Sequence, residues 1–113
     1  MTIPDSVTEI SSEAFYGCTA LNELHISNNV TIIKEEAFSN CISLTAIHIP
    51  ESVNKIGSGA FLDCTALTDI TIPDSVIEIG SDTFYNCENI RATYNGTIYT
   101  YDNIDDLYAA ING

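Results

Sequence analysis

The stretch Ile56-Gly57-Ser58-Gly59-Ala60-Phe61-Leu62-Asp63-Cys64 decides the fold, because it recurs. Counterparts lie at Ile10–Cys18, Ile33–Cys41 and Ile79–Cys87. Phe15, Phe38, Phe61 and Phe84 therefore stand 23 residues apart, and so do Cys18, Cys41, Cys64 and Cys87. A fixed period of this size is the signature of a solenoid, in which each unit buries its apolar side only against its neighbours. Four units satisfy the requirement of roughly three or more for a stack that holds itself together.

Working outward from that stretch, the units align column by column. Ile3, Ile26, Ile49 and Ile72 form one apolar column, Val7, Val30, Val53 and Val76 another, and Ile10, Ile33, Ile56 and Ile79 a third. Leu21, Leu44, Leu67 and Ile90 form a fourth, and Leu24, Ile47 and Ile70 a fifth that breaks at Thr93. These columns, with the Phe and Cys columns, are the expected core. Leu44-Thr45-Ala46-Ile47-His48-Ile49 reads as a short strand, stopped by Pro50, whose missing N–H suits a strand end. Ser12, Ser58 and Ser81 precede the Ala-Phe pair (Thr-Phe in the last unit) and are placed to cap one helical turn, with Glu13 and Asp82 at its positive end. Gly57 and Gly80 suit a tight corner before that turn.

Leu21-x-x-Leu24-x-Ile26, Leu44-x-x-Ile47-x-Ile49 and Leu67-x-x-Ile70-x-Ile72 are similar to the strand signature of leucine-rich repeats. Joined to Pro, Val-x-x-Ile-Gly and Ala-Phe-x-x-Cys at the same period over residues 3–90, they resemble the BspA-like subfamily. Ser27 departs from the Pro, Ser11 and Lys34 from the Gly, and Thr83 from the Ala. The resemblance implies an α/β repeat fold: a short right-handed solenoid with a concave parallel β-sheet and short helical turns opposite. It also implies a bacterial cell-surface or secreted adhesin that binds host or microbial proteins. No signal-peptide pattern opens the chain, which leaves a cytoplasmic location as the alternative.

After Ile90 the period fails, so the expected division is four repeats in residues 1–90, the first truncated, and a cap in residues 91–113. Ala92–Tyr99 reads as a hairpin around Asn95-Gly96, the strongest short hairpin signal. A helix follows over Ile104–Ile111, capped by Asp102 or Asn103, with Ile104, Leu107, Tyr108 and Ile111 on one face and Gly113 closing it. Nothing comparable covers the other end. Met1-Thr2-Ile3-Pro4 enters the pattern part-way through a unit, and the expectation is that an upstream repeat or a second subunit covers Val7, Ile10 and Phe15.

The 16 acidic residues against Lys34, Lys55 and Arg91 give a net charge of −13. That disfavours nucleic acid and anionic membrane surfaces as partners, since both require a cationic footprint, and neither is expected. Four thiolates suit zinc when they come in close pairs; here each comes from a successive unit, on rungs ~4.8 Å apart. Stacked side chains point the same way and fit disulfide geometry poorly, so the thiols are read as small buried packing groups. His25 and His48 share a solvent-facing strand column that continues through Thr71 and Tyr94, beside Glu23 and Asp69. These residues have the ligand types of a zinc site but no visible outer shell to orient the imidazoles. The carboxylate columns Asp5, Asn28, Glu51, Asp74 and Glu13, Glu36, Gly59, Asp82 read as solvated surface rather than as calcium ladders.

No catalytic motif is present, and no enzyme, metal or cofactor is expected. The expected function is protein interaction or adhesion through Glu23, His25, His48, Asp69, Thr71 and Tyr94 on the concave sheet. The alternative is a structural spacer or terminal part of a larger surface protein.

Overall fold

A computed structural model describes residues 2–113; Met1 lies outside the described residues. The chain winds into a solenoid whose coils stack along one axis, measuring 33 × 26 × 20 Å. Each coil has three sides. The first carries the short strands β2 (Glu23–His25), β4 (Ala46–His48), β6 (Asp69–Ile72) and β8 (Arg91–Tyr94). The second is a four-stranded parallel sheet of β1 (Glu9–Ile10), β3 (Ile32–Ile33), β5 (Lys55–Ile56) and β7 (Glu78–Ile79). There the Val-x-x-Ile segments hydrogen-bond between coils at a constant spacing, as in Ile10↔Ile33↔Ile56↔Ile79.

The third side consists of turns, and its backbone explains how the stack is held. The segments are wound with i→i+3 bonds, as in Ala14 N–H to Ser11 C=O and Tyr16 N–H to Glu13 C=O. Every second N–H, however, leaves its own coil. Glu13, Phe15 and Gly17 donate to the carbonyls of Glu35, Ala37 and Ser39 in the next coil at 3.1, 2.8 and 2.9 Å. Glu36, Phe38 and Asn40 donate to Ser58, Ala60 and Leu62, and Gly59, Phe61 and Asp63 to Ser81, Thr83 and Tyr85. A peptide group that accepts from the coil before donates to the coil after, so three columns of aligned amide dipoles run the length of the stack. Such chains polarise each bond in turn.

This ladder requires left-handed backbone at two places per coil. One column is Glu13, Glu36, Gly59 and Asp82, and the other is Gly17, Asn40, Asp63 and Asn86, all with φ between 54° and 68°. Glu13 and Asp82 are therefore not first-turn residues of a capped helix, as their sequence position suggests. They supply the change of hand that turns the next N–H toward the neighbouring coil. The glycines at 57 and 80 likewise serve spacing rather than a corner. A Cβ on Gly57 would stand 2.5 Å from the backbone nitrogen of Glu35, and one on Gly80 2.3 Å from that of Ser58.

The predicted columns fill the interior. Phe38, Phe61 and Phe84, Cys41, Cys64 and Cys87, and Val30, Val53 and Val76 are fully buried. The Phe rings stack with centroids 5.2, 5.4 and 5.6 Å apart and planes within 6°. The thiols are free, and each donates to the Phe carbonyl of the preceding coil: Cys41 to Phe15, Cys64 to Phe38 and Cys87 to Phe61, at 3.0–3.1 Å. Burial raises the pKa of all three, that of Cys87 to about 12, which keeps them protonated donors.

The C-terminal segment closes each side by a different device. The hairpin turns at Asn95 (φ 51°) and Gly96 (φ 82°) and adds β9 (Thr97–Thr100) antiparallel to β8. A 3-10 turn, Tyr101–Asn103, leads into helix α1 (Ile104–Asn112), which buries Ile104, Leu107 and Ile111 against the last coil. The Asn112 side-chain amide then accepts from Ile79 N–H at 2.9 Å and donates to Ile79 C=O at 3.0 Å, pairing with β7 as a further strand would. On the turn side, the hydroxyls of Tyr108 and Tyr101 accept the N–H groups of Phe84 and Asn86 at 2.9 and 3.2 Å. The Tyr108 ring continues the Phe stack, 6.4 Å from Phe84.

Candidate binding face on the strand side

The strands position side chains by simple alternation. In β2 and β4, Leu24 and Ile47 point into the core while Glu23, His25, Ala46 and His48 are exposed. In β6, Ile70 and Ile72 are buried while Asp69 and Thr71 face solvent. Parallel pairing sets Glu23 beside Ala46 and His25 beside His48. The two imidazoles stack with centroids 5.5 Å apart and planes 11° from parallel. β4 and β6 lie side by side, and a shallow depression of about 250 Å³ spans the three strands. Its lining includes Glu23, His25, Ala46, His48, Asp69 and Thr71.

Five of the six residues expected on this face are there, and the sixth is not. The 23-residue column puts Tyr94 after Thr71, but β6 and β8 pair 22 residues apart, with Asp69 opposite Arg91, Thr71 opposite Thr93 and Ile72 opposite Tyr94. The one-residue slip reverses which side of the pleat each β8 side chain takes. Ala92 is consequently buried in the column of Leu24, Ile47 and Ile70, and the break expected at Thr93 does not occur. Tyr94 packs half-buried against the core.

The slip brings Arg91 and Thr93 into the solvent-facing rows, and β9 adds Thr100 and Ile98 opposite them. One row reads His25, His48 in the β2–β4 pair and Thr71, Thr93, Ile98 in the neighbouring β6–β8–β9 sheet, and the other Glu23, Ala46 and then Asp69, Arg91, Thr100. Arg91 reaches Asp69 at 3.5 Å, an exposed pair. The other two basic residues are also paired with carboxylates, Lys34 with Glu9 and Lys55 with Glu78, each at 3.2 Å. Exposed pairs of this kind stabilise by little. Only the earlier failure of the repeat after Ile90 hints at the slip in the sequence.

Zinc or calcium at these columns would need convergent ligands. Among the described residues no three His, Cys, Asp or Glu side chains come together as a metal-binding group. The stacked imidazoles lie face to face, so their ring nitrogens do not aim at one point. No helix among the described residues is long and apolar enough to cross a membrane.

Comparison with known proteins adds three findings. Residues 1–105 match the family model described as a BspA type leucine rich repeat region. No curated protein matches. Among solved structures, a leucine-rich repeat protein from Bacteroides ovatus is 35% identical with a TM-score of 0.77, over 84% of this chain and 24% of its own. A leucine rich cell surface protein from Faecalibacterium prausnitzii is 29% identical with a TM-score of 0.62, over 86% of this chain and 32% of its own. A T. pallidum leucine-rich repeat protein is 26% identical with a TM-score of 0.62, over 80% of this chain and 56% of its own. The chain thus spans less than two thirds of the length of each.

Proposed function

Because this chain belongs to the BspA-type leucine-rich repeat family, we propose that its strand face is a protein-binding surface of the adhesion kind. The observation that carries the reading is the division of labour within each coil. The inward columns repeat, while the outward rows change from rung to rung: Glu, Ala, Asp, Arg in one and His, His, Thr, Thr in the other. A rigid backbone with variable outward side chains is how solenoids present extended binding surfaces. The residues proposed to contact a partner are Glu23, His25, His48, Asp69 and Thr71, joined by Arg91 and Thr93 in place of Tyr94. The description of the Faecalibacterium prausnitzii relative as a cell surface protein supports a surface location for this chain as well.

The test is equilibrium binding of the immobilised chain to host and microbial surface proteins, wild type against the double variant H48A/D69A. A loss of at least about tenfold, roughly the removal of one modest contact cluster, is expected for any partner of this face. Equal binding by the variant moves the interface elsewhere. The absence of any partner favours the spacer role.

A further inference from the structure

The first coil ends in acceptors without donors. Along the turn side, the carbonyls of Glu35, Ala37 and Ser39, and their equivalents in the next two coils, each receive an N–H from the coil before. The corresponding carbonyls of the first coil are those of Ser12, Ala14 and Tyr16. They receive no hydrogen bond from any described residue, and all three residues are exposed. Beside them the ring stack ends on the half-buried Phe15, above a cavity of about 500 Å³ lined by Phe15, Cys18, Leu21 and their neighbours. Cys18 also lacks, among the described residues, the Phe carbonyl that accepts each of the other three thiols.

The geometry points to this N-terminal face as a docking surface for one further coil of the same repeat class, wound in the same sense. Three aligned carbonyls call for three N–H groups pointing one way from alternate residues. A strand edge cannot meet them, since it presents N–H and C=O in alternation. The turn segment of a like coil does, and the same coil sets an aromatic ring over Phe15 and its carbonyl over the Cys18 thiol. This is the interface already formed three times between the coils of this chain.

A second copy of the chain fits from neither end. Its N-terminal face brings carbonyls against carbonyls. On its C-terminal face, Tyr108 and Tyr101 have taken the N–H groups of Phe84 and Asn86, and α1 covers the core. Asp5 and Glu13, acidic residues of the first coil outside its ion pair, add like-charge repulsion between two such faces. The inference is independent of the binding role proposed for the strand face.

The test places a copy of residues 24–46 directly before Met1 in the full chain, which continues the 23-residue period. The control is the same added segment in scrambled order. With the in-phase coil, modification of Cys18 by a thiol reagent under native conditions should slow at least about tenfold, because reaction then requires local opening. The Tm should rise by more than about 5 °C, the scale of a one-kcal/mol gain in a domain of this size. If either readout stays at the value of the scrambled control, the proposed docking does not occur. If the unextended chain sediments as a dimer with Cys18 shielded, the occupant is a second copy and the inference is overturned.

Discussion

The two ends of the solenoid solve the same problem to different extents. Both expose the edge of two sheets, the end of a Phe stack and one pole of the turn-side dipole columns. At the C-terminal end both sheets and two of the three turn-side columns have partners: β9 for the strand side, the Asn112 amide for β7, and tyrosine hydroxyls for Phe84 and Asn86 N–H. At the N-terminal end the strand side keeps one bridge, Thr2 to His25, and Phe15, Cys18 and Leu21 are only half-buried. The difference shows that ending a solenoid is a hydrogen-bonding task as much as an apolar one, because a donor or acceptor left buried without a partner costs about 1–3 kcal/mol. It also shows that the cap is read by polarity: the C-terminal pole presents donors, which hydroxyl oxygens can satisfy.

The largest expected effect separates the middle of the stack from its open end. Phe61→Ala removes a fully buried ring packed between two others and should destabilise by about 3–5 kcal/mol. Phe15→Ala removes a ring with one stacking partner and solvent on its other side, so its cost in urea denaturation should be less than about half of that. Equal costs would mean that the first coil is as well covered as the third.

A smaller effect probes the closed end. Tyr108→Phe keeps the ring on the Phe84 stack but removes the acceptor for Phe84 N–H, which should cost about 1–3 kcal/mol. The same variant should alter the alkaline limb. Burial raises the Tyr108 hydroxyl from 10.0 to about 12 and the Cys87 thiol from 9.0 to about 12. The folded chain therefore holds these protons to higher pH than the unfolded chain does. Their contribution is intact below pH about 9 and is lost as pH rises toward 12. The urea midpoint should fall across that window, and less steeply in Tyr108→Phe; a midpoint that rises with pH would reverse the sign of the argument.

Much of this architecture is legible in the sequence because burial repeats with the period. Phe38, Phe61 and Phe84, with the Cys and Val columns, are where counting puts them. Asn95-Gly96 announces its turn for the same local reason, a pair of residues that tolerate positive φ. The turn-side ladder is harder to see, since it is made by backbone. Its one clear trace is the column Gly17, Asn40, Asp63, Asn86, all residue types that enter the left-handed region readily. The other left-handed column contains Glu13 and Glu36, which look like helix formers. The candidate face is legible up to β6, where strict periodicity holds. Counting by 23 puts Tyr94 on the wrong side of β8, because a one-residue register change leaves no mark in composition yet exchanges the two faces of the strand.

The contrast between a closed and an open end is tested most directly by native-state amide hydrogen exchange along the turn side. The N–H groups of Glu13, Phe15 and Gly17 make the same inter-coil bonds as those of Gly59, Phe61 and Asp63. Opening of the first coil, however, exposes only one coil interface. The first three amides should exchange much faster than the second three, with Glu36, Phe38 and Asn40 between them. Uniform protection across all nine would contradict the account.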